Sequence, residues 1–108
     1  MKNKEYIICA ANYYNDGIEH VHKPKNITTG FVVCGHRHHN CINTFAQIVG
    51  FPYSKESLIL ESSEIEGFLT NTNRFVDRFE GYKIAFEAGQ LDDKNIQKEG
   101  KLYSEDLY

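Results

Sequence analysis

Long apolar runs, cysteine in quantity and a surplus of positive charge are all missing from this chain of 108 residues. The apolar stretch from Tyr6 to Ala11 is too short for a secretory core and far short of a membrane span, so a cytosolic protein without a membrane partner is expected. The three cysteines, Cys9, Cys34 and Cys41, are odd in number and lie in or beside apolar runs. That argues against a disulfide framework and favours reduced thiols serving as small core residues. A formal net charge of −3 argues against a general DNA or RNA binder, whose hold on phosphates rests on excess Lys and Arg. Also absent are a Gly-rich phosphate loop, a dinucleotide fingerprint, an HExxH zinc motif, internal repeats and low-complexity linkers.

What is there is 41% hydrophobic and 13% aromatic residues, enough for one compact domain over residues 1–108 with a modest core. Tyr6 to Tyr14 carries apolar side chains at both parities, as a central strand covered on both faces would. Asn15-Asp16-Gly17 tolerates positive φ and precedes the strand-like Ile18 to His22, so a hairpin over residues 6–22 is predicted. Phe31 to Cys34 reads as a buried strand, and Cys41 to Val49 as a helix with an Ile42, Phe45, Ala46, Val49 stripe stopped by Gly50 and Pro52.

Tyr53 to Glu66 reads as a variable loop, its Leu58-Ile59-Leu60 fitting either a strand or a short helix. A second hairpin follows, Gly67 to Thr70 against Arg74 to Val76. Asp77 and Glu80 have capping-box spacing, ahead of a helix with Phe79, Tyr82, Ala85 and Phe86 at helical spacing up to Gly89. Gly81 inside that helix implies close packing on the sheet or a weak first turn. Leu91 to Lys101 is polar and reads as a loop, while the apolar side chains of Leu102 to Tyr108 suggest a terminus docked on the body or on a neighbouring subunit. The expected fold class is α+β: a small antiparallel sheet built from two hairpins, two helices packed on it, and an oligomeric assembly.

The richest chemistry lies at Gly35-His36-Arg37-His38-His39-Asn40-Cys41, a strand-to-helix junction where free N–H groups and the helix dipole attract anions. A zinc site fits the spacing badly, since His38 and His39 face different ways and no second Cys or His pair follows; no metal and no cofactor are expected. Cys41 at a helix start invites thiol catalysis, but nothing supplies a third group. Anion or nucleotide binding remains, with Arg37 forking to phosphate oxygens. Asn71, Asn73, Arg74, Phe75 and Arg78 then gather amide, guanidinium and aromatic groups able to meet a ribose, a phosphate and a base. The plain alternatives are capping or surface histidines and a solvated turn. The residues read as a binder and not as an enzyme.

GHRHHNC (35–41), GFLTNTNRFVDR (67–78), IAFEAGQ (84–90) and LYSEDLY (102–108), in this order, resemble blocks of small phage proteins of the Thoeris anti-defence type, first-described branch. The resemblance implies a compact α+β protein that dimerises or builds rings such as hexamers in the cytoplasm of the infected bacterium. It also implies a sponge, which sequesters a cyclic ADP-ribose isomer without cleaving it and leaves the immune effector off. Cyclic trinucleotides are implied as further ligands at separate sites. Carried onto this sequence, the matching positions are Arg37 with His38 and His39, then Asn71, Asn73, Arg74, Phe75 and Arg78, with Phe51 as a further aromatic candidate. Two other readings stay open: a nucleotide phosphodiesterase or hydrolase using the His36 to His39 cluster, and a protein-interaction module.

Overall fold

The computed structural model describes residues 4–92 and 100–107. In chain order its elements are β1 (Ile7–Tyr14), β2 (Phe31–Gly35), α1 (His38–Val49), α2 (Lys55–Glu61), β3 (Ile65–Thr70), β4 (Phe75–Val76), α3 (Arg78–Glu87) and a closing 3-10 turn at Ser104–Asp106. The strands form one sheet in the order β2-β1-β3-β4, antiparallel throughout. The α+β class is therefore as expected, and β1 is the central strand that its two-sided apolar pattern predicts.

The partner of β1 differs from the sequence reading. Ile18 to His22 is not a strand; β1 pairs with β2, in register Tyr14 to Phe31 through Ala10 to Gly35. The reason is local. Asn15 Oδ1 accepts the Gly17 N–H at 3.0 Å, and Asp16 Oδ1 accepts the Ile18 N–H at 2.9 Å. His20 Nε2 then meets Asp16 Oδ2 at 2.8 Å. These side-chain turns wind the chain on itself instead of returning it along β1. Residues 15–30 become a long connection.

One face of the sheet holds the core. Tyr14 lies between the Phe31 ring, 5.7 Å away, and the Phe45 ring of α1, stacked at 4.0 Å. Cys41, the first fully buried apolar residue of α1, points its thiol at the Ala10 carbonyl of β1. The helix starts at His38, a turn earlier than expected, because Asn40 Oδ1 takes the Arg37 N–H at 2.9 Å. On the neighbouring strand, α3 lays Gly81, Ile84 and Ala85 inward, while Phe79 and Phe86 from the predicted stripe stay exposed. Gly81 decides that rotation. A Cβ there would stand 3.1 Å from Phe68 and 3.4 Å from Leu102, so close packing on the sheet is its role.

Asp77 caps α3 as predicted, accepting the Glu80 N–H at 2.8 Å, but the reciprocal half of the box is not made because the Glu80 carboxylate pairs with Arg74. Between α1 and β3 the expected loop contains α2, capped by Ser54 Oγ on the Ser57 N–H at 3.1 Å. β3 begins at Ile65 rather than Gly67. The terminal segment docks on the body: Leu102 is fully buried, and its N–H donates to the Arg78 carbonyl at 2.9 Å. Most of the predicted 91–101 loop, and Tyr108, lie outside the described residues.

Candidate functional site

Because side chains alternate along a strand, the residues that β1, β2, β3 and β4 turn away from the helices share the sheet's other face. The register brings Cys9, Leu69 and Phe75 together in one row, Cys34, Ala11 and Gly67 in the next, then Val32, Tyr13 and Ile65. Gly67 leaves room across the middle row. A Cβ there would fall 2.7 Å from the Phe75 ring, which instead leans toward Tyr13 with centroids 5.8 Å apart.

The long connection is laced over this face. Tyr13 Oη donates to the Thr29 carbonyl at 2.7 Å. Asn26 clasps the edge strand, its Nδ2 donating to the Phe75 carbonyl at 2.6 Å and its Oδ1 accepting the Phe75 N–H at 2.8 Å. The Lys25 N–H donates to the Asn73 carbonyl at 2.8 Å, and Asn73 Nδ2 returns to the Lys23 carbonyl at 3.3 Å. Asn73, at φ 63°, takes the left-handed conformation that Asn tolerates and closes the β3–β4 turn against the connection. Between the connection and the sheet lies an open cleft of about 360 Å³, lined by Val21, His22, Lys23 and Pro24 of the connection and by Val32, Cys34, Leu69 and Asn73.

The cavity is amphipathic. Valine, leucine and proline walls adjoin an ammonium, an imidazole, an amide and a thiol, with the Lys23 ammonium anchored on the His20 carbonyl at 3.0 Å. The Cys34 thiol is brought down to about 7, chiefly by the neighbouring Cys9 S–H, while Cys9 is itself pushed far up by Cys34 and by burial. On the opposite face, burial pushes Cys41 up to about 11.

The residues singled out from sequence divide among several places. Asn73 lines the cavity, and Phe75 shares its sheet face. Arg74 faces the carboxylates of Glu5 and Glu80. Hydrogen bonds from Thr72 and Thr70, with the Arg74 charge, hold the Glu5 carboxyl below its usual range. Asn71 binds backbone, accepting the Tyr6 N–H at 2.7 Å and donating to the Lys4 carbonyl at 3.1 Å. Arg78 donates to Glu66 at 2.6 Å and to the Leu102 carbonyl at 2.9 Å, with its guanidinium 4.8 Å above the Tyr103 ring.

The histidine motif is split in the same way. His38 is buried, its Nε2 2.8 Å from the Gly67 carbonyl and its ring edge-on to Phe68. Desolvation holds its pKa below the usual histidine value. His36 and His39 are exposed, and Arg37 stands at the N-cap of α1. Phe51 is exposed beside Tyr53. Among the described residues, no group of three or more His, Cys, Asp and Glu is placed to hold a metal ion.

Sequence reasoning missed Val21 to Pro24, Val32, Cys34 and Leu69 as cavity residues. Cys34, read as a small core residue, is exposed. The signal was parity: in Phe31 to Cys34, the residues alternating with the core-facing Phe31 and Val33 must face the other way.

Fold and cleft together define a small α+β protein with helices on one sheet face and a loop-flanked, ligand-sized cleft on the other. The chain belongs to the phage T4 y16D protein family, whose model matches residues 6–108. Neither a curated protein nor a solved structure matches it. Among the described residues no helix is long and apolar enough to cross a membrane.

Proposed function

We propose that this phage protein is a sponge for a signalling nucleotide of the cyclic ADP-ribose class. It holds the ligand uncleaved in the infected cell's cytoplasm and so blocks Thoeris immunity. The observation that carries the reading is the cleft between the long connection and the sheet's other face, where His22, Lys23 and Asn73 adjoin Val32, Cys34 and Leu69. A pyrophosphate calls for cationic and N–H donors, an adenine for apolar surface, and both for exclusion of water. The cavity's volume falls in the range of small-ligand sites, about 300–1,000 Å³. Four sequence blocks resembling Thoeris anti-defence proteins support the same ligand class, with cyclic trinucleotides as second ligands.

Ligand recognition shifts accordingly from the guanidiniums of Arg74 and Arg78, already matched to carboxylates, to the connection that carries His22 and Lys23. Arg37 and His39, at the start of α1, are assigned to a pocket wall shared with a second subunit. Ile48, Phe51 and Ile59, exposed on α1, α2 and the link between them, offer apolar area for a dimer or dimer-based ring.

The experiment incubates the purified protein with cyclic ADP-ribose isomers, denatures it by heat and assays the supernatant. Intact ligand, with a thermal shift lost in Lys23→Ala and Asn73→Ala, is expected; a ligand at 100 times its dissociation constant adds about 2.7 kcal/mol to the folded state. Degraded ligand would replace the sponge with a hydrolase built on His36 to His39. No shift with any cyclic nucleotide would leave the interaction module.

A further inference from the structure

Cys9 and Cys34 are two of the three thiols, and the function proposed above gives neither sulfur a chemical role. Both stand on the open face of the sheet. Cys34 lies opposite Ala11, and Cys9 is two residues further along β1 on the same face, so the pair are diagonal neighbours across β1 and β2. The two thiols are close enough to shift each other's titration. Cys34 is exposed and lines the cavity beside His22 and Lys23, whereas Cys9 is half-buried behind it. Cys41, by contrast, is buried on the far face with its thiol on the Ala10 and Arg37 carbonyls. One thiol is thus open to reagents, one is placed to follow it, and one is shielded.

We propose that Cys34 and Cys9 form a thiol-modification site for low-molecular-weight disulfides, with Cys34 the attacking sulfur and Cys9 the resolving one. The Cys34 thiolate attacks one sulfur of RSSR; a Cys34–S–SR bond forms, the S–S bond of the reagent breaks, and RS⁻ leaves. Cys9 gives up its proton, its thiolate attacks the Cys34 sulfur, and a second RS⁻ departs as the Cys9–Cys34 disulfide closes. Two protein thiols are oxidised, the reagent is reduced to two thiols, and the protons lost by Cys34 and Cys9 go to the two leaving sulfurs. The lowered value of Cys34 suits the first step, since thiolate is the reacting form.

The site needs no nucleotide, so its test uses the ligand-free, reduced full chain with glutathione disulfide at neutral pH. Products are trapped by alkylation and mapped by peptide mass spectrometry. The expected product is a Cys9–Cys34 cross-link with Cys41 still free. Cys9→Ser should stop at glutathione on Cys34, and Cys34→Ser should leave Cys9 unmodified. Cys9→Ala should slow the first step about threefold at neutral pH, since the gain in nucleophilicity only partly offsets the lost thiolate fraction. Cys41 reacting as fast as Cys34, or Cys34 reacting only when the protein is unfolded, would overturn the site. Glutathione remaining on Cys34 in the unmutated chain would overturn the role of Cys9.

Discussion

Leu102 tests whether the terminal segment is part of the core or an ornament on it. Its side chain is fully buried beside Gly81 and Phe68, and its backbone is tied at both ends to Arg78. Leu102→Ala leaves a cavity under α3 that rigid neighbours fill only in part, so a loss of about 3 kcal/mol is expected within the usual range of about 2–5. In a domain of this size that is a drop in Tm of about 10–20 °C.

The sharper test pairs it with Gly81→Ala. Alone, the added methyl gains about 1 kcal/mol of helix propensity but meets Phe68 at 3.1 Å and Leu102 at 3.4 Å, a crowding that costs about 1–3. The net change alone should be destabilising. In the Leu102→Ala background the space is there, Phe68 can move, and the same methyl should become neutral or stabilising. Urea unfolding of all four proteins followed by circular dichroism should therefore give a coupling of about 1 kcal/mol in favour of the double variant. Additivity within about 0.5 kcal/mol, or a Leu102→Ala cost below about 1 kcal/mol, would refute the packing argument.

His38 should make stability depend on pH. Burial holds its folded pKa below the ordinary 6.5, so the unfolded chain takes up a proton that the folded ring does not. That contribution is complete above the unfolded value and is lost as the pH falls toward the folded one. Tm measured across about pH 5–7 should fall with acidity in the unmutated chain and less steeply in His38→Gln; parallel slopes would refute it. Asn26→Ala removes both hydrogen bonds to Phe75, 2.6 and 2.8 Å long, at a cost of about 0.5–1.5 kcal/mol. Hydrogen exchange at the Phe75 amide should quicken well beyond the global change, and unaltered protection there would show that the connection is held elsewhere.

Local patterns in the chain carried a good deal of this fold. The two-sided apolar run of residues 7–14, the β3–β4 turn and the Asp77 cap of α3 each rest on interactions within a few residues, which sequence displays directly. The short helix α2 also had a local signal, Ser54 with Glu56 in the first turn, which the surrounding serines and glutamates obscured. The partner of β1 was different in kind. Asn15-Asp16-Gly17 reads the same whether it closes a tight hairpin or opens a sixteen-residue traverse, and only the long-range pairing of Phe31 with Tyr14 separates the two.

The candidate site shows the same division. Asn73 was legible as an amide at the second hairpin, and its left-handed φ of 63° emerged only with the structure. His22, Lys23 and Cys34 were not, since the distance between residues 22 and 69 is set by how the connection folds back over the sheet. Sequence placed three arginines in a binding region. Tertiary structure gave Arg74 and Arg78 to Glu5, Glu80 and Glu66, because a guanidinium half removed from water takes the nearest carboxylate. By itself, then, the sequence determined the α+β class, the existence of α1 and α3 and the Asp77 cap, all set by periodicity and nearest neighbours. The open face, the cleft and the diagonal placement of Cys9 and Cys34 arise from contacts between distant residues, and only the tertiary structure decided them.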